Sequence, residues 1–322
     1  MKSLAIQMGL SLALIAGFAP AFADEYPNRP IRLLVGYGAA GAGDNTSRIV
    51  AEALSKRLGQ PVVVENRPGA GATIASAQLV QAAPDGYTLG VLTASIYGVD
   101  QHIYRVRYTG ADFTPIAKLA SYPLILGVSR KMGVSTLKEF IEKVKEKPGA
   151  YNYSTSGTGG SPHVAALMFE KATGASAVHI PFKGGAAALQ AVVANEVQFS
   201  FGTAPSVLPM SRNDLVTALG VTSLQRSELA PELPTLAESG LPDFDLSYWF
   251  GLFGPAQLPG AVTEKLAAAI GDVLNDPAVR ARLLSAGLEA ASKTSAKEFG
   301  EFAARDGKMA GDRVVELGLK PN

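Results

Sequence analysis

A run of apolar residues that breaks into glycines and then into a helical pattern is the feature that most restricts the fold. The segment Ile31–Val35 is apolar except for one arginine and predicts a buried strand. Residues 36–43 are glycine, alanine and one tyrosine, and Asp44 then opens a helix predicted over residues 45–58. Small residues let a ligand approach the main chain, and a helix start presents N–H groups that no helix carbonyl accepts. The segment therefore predicts an anion-binding loop between a strand and a helix.

The same order of strand, small-residue loop and helix recurs twice soon afterwards. Residues 62–65 predict a second strand before a glycine-rich segment, and Thr88–Leu92 predicts a third strand before Thr93, Ala94 and Ser95. In a parallel sheet the carboxyl ends of such strands lie along one edge, where ligands bind. We therefore expect Thr93 and Ser95 to lie beside the first loop.

A similar pattern begins again near Leu124, where residues 124–128 predict a strand. Further on, residues 154–160 form another loop of small residues, and Ser161 is predicted to cap a helix whose first residue is Pro162. This helix start would offer a second group of unpaired N–H groups, facing the first loop. The sequence therefore predicts an α/β protein with two domains around a ligand cleft.

The first 23 residues predict an export signal. Lys2 supplies a positive charge, residues 4–18 are apolar but too short to span a membrane, and Ala21-Phe22-Ala23 is a small-residue cleavage site. Cleavage after Ala23 would release a chain that begins at Asp24; an uncleaved anchor helix is the alternative. Absence of cysteine suits an oxidising compartment. A formal net charge of +1, and of zero without Lys2, predicts no binding to nucleic acid or membrane surfaces.

The first loop also fits a different class of protein. Gly36, Gly38 and Gly41 form a G-x-G-x-x-G pattern between a strand and a helix, and Glu65 closes the next strand where a ribose-binding acid would stand. An exported dinucleotide-binding oxidoreductase is therefore the alternative function. The export signal, and a loop that continues to Gly43, argue against it.

The sequence predicts no enzyme, metal site or cofactor. No set of nucleophile, base and orienting residue can be assembled, and the G-x-S-x-G pattern of hydrolases is absent. The chain has three histidines and no cysteine, and the histidines are not at metal-ligand spacing.

Several segments together carry a resemblance to a known family. They are Tyr26-Pro27-Asn28-Arg29-Pro30-Ile31, Gly41-x-x-Asp44, residues 59–71 with the run Asn66-Arg67-Pro68-Gly69-Ala70-Gly71, Pro84-Asp85-Gly86-Tyr87-Thr88-Leu89, Lys147-Pro148-Gly149, Asn152-Tyr153, His179-Ile180-Pro181-Phe182-Lys183-Gly184-Gly185 and Trp249-Phe250-Gly251. On these residues the chain resembles the Bug, or TctC-like, family of exported solute-binding proteins of tripartite tricarboxylate transporters. The resemblance covers nearly all of the chain after residue 23.

The resemblance implies a periplasmic binding protein of the two-lobed type II fold with discontinuous domains. We expect residues 24–123 plus 245–322 to form domain 1 and residues 124–244 to form domain 2, after a signal peptide at 1–23. Such a protein, expected to be a periplasmic monomer, captures a small carboxylated solute and delivers it to the permease subunits of its transporter. The resemblance also places the ligand carboxylate against the loop after the first strand, held by backbone groups and ordered water.

The sequence departs from the family pattern at two places that bear on the ligand. Gly36, Gly38 and Ala39 stand where the family loop has prolines, and Gly202 stands where many members have a cleft aspartate. Because an ammonium group would need an acidic partner, the missing aspartate predicts an organic acid without an amino group. The predicted ligand is a mono- or dicarboxylate, aliphatic or, given Tyr37 and Tyr97, aromatic.

The predicted ligand contacts come from both domains. For Tyr37 the alternative is an ordinary half-buried aromatic side chain. For three more an ordinary structural role is the alternative: a helix cap for Asp44, a satisfied buried side chain for His163 and a solvated surface charge for Lys183. The full set is Tyr37, Gly38, Ala39, Ala40, Gly41, Asp44, Thr93, Ser95, Thr158, Gly160, Ser161, His163, Lys183 and Thr203.

Overall fold

The computed structural model describes residues 26–319, so the predicted signal peptide lies outside the described residues. Helices and strands alternate along this range, as the sequence predicts. The strands are β1 (Ile31–Val35), β2 (Val62–Asn66), β3 (Thr88–Leu92), β4 (Phe113–Ser129), β5 (Asn152–Thr155), β6 (Val178–Pro181), β7 (Phe199–Thr203), β8 (Val216–Val221), β9 (Ser247–Pro255) and β10 (Glu289–Ala290). The helices are α1 (Ala42–Leu58), α2 (Thr73–Val80), α3 (Val99–Tyr104), α4 (Leu137–Glu146), α5 (Ser161–Thr173), α6 (Gly185–Ala194), α7 (Ala204–Arg212), α8 (Gly260–Asn275), α9 (Pro277–Ser285) and α10 (Ala296–Glu316).

The first part of the sheet has the parallel core that the sequence predicts. Its strand order is β2-β1-β3-β9-β4, in which β1 pairs in parallel with β2 and β3, and β9 runs antiparallel to β3. Helices cover both faces: Leu33 packs with α1 and α8, whereas Leu34 packs with α2 and α10. Burial on both faces explains why β1 is an almost continuous apolar run. Because β1 and β3 are parallel neighbours, their carboxyl ends lie on one edge of the sheet.

Strand β4 connects this part of the sheet to a second one. Its residues up to Pro123 pair with β9, whereas those from Leu124 onward pair with β7 and β8. The second part continues through β5 and β6 and has its own apolar core on each face. The chain returns to the first part through the segment before β9. The predicted division into two domains at these segments stays a prediction.

A buried hydroxyl group ties the two connecting segments together. Leu124 N–H donates to Thr222 Oγ1 at 2.8 Å, and the same hydroxyl donates to the Leu246 carbonyl at 2.6 Å. Thr222 is fully buried, so neither partner has water as a substitute. The two segments are therefore fixed to each other beside the change of strand partners.

Four elements start or extend differently from the sequence-based expectation. Helix α1 begins at Ala42 rather than at residue 45, and strand β2 ends at Asn66 rather than at residue 65. Strand β4 is 17 residues long, not the five residues 124–128, because Pro115 and Pro123 interrupt the strand pattern of its first half. The pairing with β9 absorbs Pro115 by a register shift. Helix α5 is capped by Gly160, and Ser161 is its first residue, so the prediction of Ser161 as the cap is wrong by one position.

Candidate functional site

A cleft of about 1370 Å³ lies at the edge where β1 and β3 end, and the start of α5 lines it as well. The crossing strands β4 and β9 contribute Tyr122, Tyr248 and Phe250 to its wall. Half of the predicted contact residues line this cleft. They are Tyr37, Gly38, Ala39, Gly41, Thr93, Ser95 and Ser161.

The loop after β1 presents main chain to the cleft. Helix α1 begins at Ala42, and its cap residue Gly41 has no side chain to accept the N–H groups of the first turn. Ala42 and Gly43 line the cleft together with Gly41. A Cβ atom at Gly43 would lie 2.4 Å from Cδ2 of Tyr37, so only glycine fits beneath that ring. The result is a helix start that is open to a ligand on one side and covered by Tyr37 on the other.

Asp44 holds this loop from behind. Its Oδ2 accepts from Ala40 N–H and from Arg48 Nε, both at 2.9 Å, and its Oδ1 accepts from Asn66 Nδ2 at 2.8 Å. Asn66 Nδ2 also donates to the Tyr37 carbonyl at 3.0 Å. Burial alone would raise the pKa of the Asp44 carboxyl, but the three hydrogen bonds outweigh it and lower the pKa below the ordinary value.

These contacts settle the geometry of Asp44. The side chain is 2% exposed and does not line the cleft, and it stands at the third residue of α1, so its prediction as a cap is wrong. The carboxylate reaches back to Ala40, outside the helix, because the loop turns under the first turn of α1. Asp44 therefore positions the loop, and its three donors occupy both carboxylate oxygens.

Aromatic rings form the wall between the two ends of the cleft. Tyr37 packs edge-on against Phe250 at 5.5 Å between centroids, and Tyr122 stacks on Phe250 at 5.9 Å and on Tyr248 at 5.7 Å. Burial raises the pKa of Tyr122 to about 12 and raises that of Tyr37 and Tyr248 as well. These phenols are consequently protonated at neutral pH and add no negative charge to the cleft.

His163 supports the loop on the opposite side. Its Nδ1 accepts from Gly159 N–H at 2.9 Å, and its ring stacks on His179 at 4.0 Å between centroids. His179 Nε2 in turn lies 2.7 Å from Thr155 Oγ1. Burial, together with the neighbouring His179, lowers the pKa of His163 to about 4. The neutral ring is buried behind the loop, which is the structural role that the sequence leaves open as an alternative.

The structure does not bring the other predicted contacts to the cleft. Thr158 and Lys183 are exposed to solvent and do not line the cleft. Thr203 and Gly160 are also outside the lining: Thr203 Oγ1 is 3.2 Å from Ser206 Oγ, and Gly160 is the cap residue of α5. Ala40 is also outside the lining, and its N–H donates to Asp44 Oδ2.

Two charged residues of the cleft, Lys118 and Asp306, have no signal in the sequence. Lys118, on β4, lines the cleft with its Nζ 4.8 Å from the centroid of Phe302, and burial lowers its pKa. Trp249 Nε1 donates to Asp306 Oδ2 at 2.7 Å, and both residues line the same cleft. Strands β4 and β9 and helix α10 bring these residues together from positions far apart in the chain, so only the fold could show the cluster.

The geometry does not favour the dinucleotide alternative. Glu65, the acid that would bind a ribose, accepts from Arg32 Nε and Nη2 at 2.9 Å each. A Cβ atom at Gly36 would lie 2.3 Å from the Cβ of Ala72, so this glycine allows close packing of two loops. Within residues 26–319, no group of three or more His, Cys, Asp or Glu side chains could hold a metal ion, and no helix is long and apolar enough to cross a membrane.

Comparison with known proteins agrees with the resemblance. Residues 46–319 match the family described as "Tripartite tricarboxylate transporter family receptor". The chain is 32% identical to Protein BugT of Bordetella pertussis over 285 residues, which cover 87% of this chain and 86% of BugT.

Two solved structures extend the agreement to the fold. Rpa4515 of R. palustris, solved with adipate, superposes with a TM-score of 0.77 at 25% identity and covers 92% of this chain and 100% of that one. MatC from Rhodopseudomonas palustris, solved with bound malate, gives a TM-score of 0.72 at 29% identity and covers 90% and 100%. The predicted periplasmic-binding-protein fold is confirmed, and this chain belongs to the tripartite tricarboxylate transporter receptor family, the TctC or Bug family of solute-binding proteins.

Proposed function

We propose that this protein captures a small carboxylated organic acid in the periplasm and delivers it to the permease subunits of a tripartite tricarboxylate transporter. One observation carries the proposal: the uncapped start of α1 lines a cleft beside Gly38, Ala39 and Gly41. Main-chain N–H groups at a helix start attract a carboxylate through both hydrogen bonds and the helix dipole. Binding of adipate by one relative and of malate by another supports this ligand class.

We place the ligand between the loop after β1 and the start of α5. Thr93 and Ser95 supply hydroxyl groups next to the first loop, and Ser161 lies at the other side of the cleft. The wall of Tyr37, Tyr122, Tyr248 and Phe250 suits a flat or extended carbon skeleton between the two ends. This arrangement supports binding without catalysis, since the proposed contacts are main-chain groups, hydroxyls and rings.

Domain closure and export complete the proposal. Residues 24–123 plus 245–322 would close against residues 124–244 around the ligand, with the hinge at the segments that Thr222 joins. X-ray scattering with and without a confirmed ligand should then give a smaller radius of gyration for the bound protein. Intact mass of protein recovered from the periplasm should correspond to a chain that starts at Asp24; retention of Met1 would reject cleavage.

A ligand screen followed by one substitution tests the site. Thermal shift with mono- and dicarboxylates should find ligands, because a ligand at 100 times its Kd adds about 2.7 kcal/mol to stability. Ser161→Asp would then place a negative charge at the start of α5 and weaken binding of the best acid by more than about tenfold in isothermal titration. Ser176→Asp, at an exposed loop position outside the cleft, is the matched control. Equal affinities of the two variants would remove Ser161 from the site.

A further inference from the structure

The turn that carries Thr93 and Ser95 is a compact unit, which we call the site turn (residues 93–97). Ser95 N–H donates to Thr93 Oγ1 at 3.4 Å, and Thr93 Oγ1 donates to Ser95 Oγ at 3.1 Å. The Ile96 carbonyl accepts from Gln101 Nε2 at 2.9 Å, which joins the site turn to α3. Because Thr93 and Ser95 line the cleft, the placement of the whole unit decides where their hydroxyl groups stand.

Tyr97 anchors the site turn from outside the cleft. Its half-buried side chain does not line the cleft but packs against two glycines that lie far apart in the chain. A Cβ atom at Gly110 would overlap the Tyr97 ring. A Cβ atom at Gly307 would overlap Tyr97 Cβ and lie 2.8 Å from the Ala94 carbonyl oxygen. The two glycines therefore form a socket that the Tyr97 side chain fills.

Helix α10, which supplies Gly307, is fixed to the crossing strand β9. It buries Phe299 and Ala303, which are 1% and 0% exposed, in the same apolar core as Trp249. Trp249 Nε1 donates to Asp306 Oδ2 at 2.7 Å, one residue before Gly307. A shift of the helix would break these contacts, so added bulk at Gly307 would displace the half-buried site turn instead.

We infer that Tyr97 is a positioning residue, which together with Gly110 and Gly307 holds the hydroxyl groups of Thr93 and Ser95 at the wall of the cleft. Ser95 and Tyr97 belong to one turn of 3₁₀ helix, so a displacement of the Tyr97 side chain is passed directly to the hydroxyl groups. The effect on ligands rests on the proposed function, whereas the placement of the site turn does not.

A single thiol at position 95 tests the anchor without any ligand. The chain has no cysteine, so Ser95→Cys supplies the only thiol, and its rate of reaction with DTNB measures how accessible residue 95 is. In this background Tyr97→Ala removes the ring and Gly307→Ala fills part of its socket. Each should raise the reaction rate at least about threefold, because the site turn opens more often. Tyr97→Phe keeps the ring and should leave the rate within about twofold.

Tyr151→Ala is the matched control for loss of a tyrosine ring. Tyr151 is half-buried like Tyr97, but it packs in the second part of the sheet and does not line the cleft. Its removal should lower stability without a faster reaction of the thiol at position 95. Circular dichroism would establish that each variant folds, and Gly307→Ala decides the matter if Tyr97→Ala does not fold.

Titration with malate and adipate, the acids bound by two relatives, measures the consequence for binding. In the chain that keeps Ser95, Tyr97→Ala and Gly307→Ala should each weaken the tighter acid about three- to tenfold, the range expected for one hydrogen bond. Tyr97→Phe and Tyr151→Ala should keep the affinity within about twofold of the wild type.

The possible results reject different statements. Reaction rates that rise equally in Tyr97→Ala and Tyr151→Ala, or in neither, would overturn the inference, because Tyr97 would then contribute only to general packing. Rates that rise in Tyr97→Ala and Gly307→Ala, but not in Tyr97→Phe or Tyr151→Ala, would establish it. Unchanged affinity in variants whose rate rises would remove the hydroxyl groups of the site turn from the ligand contacts. Failure of both acids to bind would count against the proposed ligand class alone, since the thiol measurement needs no ligand.

Discussion

Asp44→Asn is the substitution that most directly tests how the loop after β1 is held. Asparagine keeps the size of the side chain but replaces one carboxylate oxygen with an NH₂ group and removes the charge. In the wild type, both oxygens accept hydrogen bonds, from Ala40 and Arg48 on Oδ2 and from Asn66 on Oδ1. Whichever way the amide turns, at least one donor then faces another donor.

The expected cost follows from these contacts. A hydrogen bond to a charged group contributes about 1.5 to 3 kcal/mol, and a buried donor left without its acceptor costs about 1 to 3 kcal/mol. Since Asp44 is 2% exposed, water cannot replace the lost acceptor. We expect Asp44→Asn to lower the free energy of unfolding by about 2 to 4 kcal/mol at pH 7. The affinity for carboxylates should fall as well, because Ala40 and Tyr37 lose their common support.

The effect should depend on pH in a defined direction. The pKa of Asp44 in the folded protein lies below the ordinary value, so its contribution is present above about pH 4 and is lost as the pH falls through the folded pKa. Urea unfolding of wild type and variant at pH 7 and at pH 3 measures the difference at each pH. The gap should be full at pH 7 and smaller at pH 3.

An exposed acid provides the control for this experiment. Asp214→Asn removes an ion pair with Arg130 at 2.9 Å, but its side chain is 75% exposed, so the change should stay within about 0.5 kcal/mol. If Asp44→Asn were no more destabilising than Asp214→Asn, or if its effect were the same at pH 3 and pH 7, the support of the loop by the Asp44 carboxylate would be refuted.

Three further substitutions test neighbouring parts of the site. Lys183→Ala should leave carboxylate affinity within about twofold in isothermal titration, since the side chain is exposed outside the cleft; a tenfold loss would contradict this placement. In the folded protein the pKa of His163 is lowered to about 4, whereas in the unfolded chain the same side chain takes up a proton near pH 6.5. The free energy of unfolding should therefore fall as the pH drops from about 6.5 to 4. That fall, measured by urea unfolding, should be smaller in His163→Gln. Gly43→Ala should displace the Tyr37 ring and weaken binding at least fivefold, about 1 kcal/mol; unchanged affinity would show that the ring moves freely.

The sequence was sufficient for the parts of the fold in which one physical signal dominates. Strands β1 and β3 begin and end at the predicted residues, because apolar or β-branched runs between turn residues leave little choice of boundary. Helix α5 was displaced by one residue because Gly160 provides the extended cap conformation without a polar side chain. The first half of β4 was missed because its prolines mask a strand that tolerates them at a register shift.

For the site, the sequence predicted the loops better than the side chains. The small-residue loops after β1 and β3 correctly predicted five lining residues, because the direction of the two parallel strands places both loops on one edge of the sheet. These residues are Gly38, Ala39, Gly41, Thr93 and Ser95. Lys183 and His163 were chosen for their chemistry, and the fold places one in solvent and the other behind a loop. Lys118 had no local signal, since it reaches the cleft only through the pairing of β4 with segments far away in the chain.

Two residues of the segments that carried the family resemblance, Asp44 and Asn66, support the site from outside the cleft. Asp44 belongs to the Gly41-x-x-Asp44 motif and Asn66 opens the Asn-Arg-Pro-Gly run, and together they fix Ala40 and the Tyr37 carbonyl from outside the cleft. A scaffold of this kind leaves the lining free to change without loss of the loop. The departures at Gly38 and Ala39 lie in that lining, so they alter the ligand surface while the motif residues keep the helix start open. It follows that ligand choice should respond to substitutions in the lining, whereas substitutions of Asp44 or Asn66 should weaken all carboxylates alike.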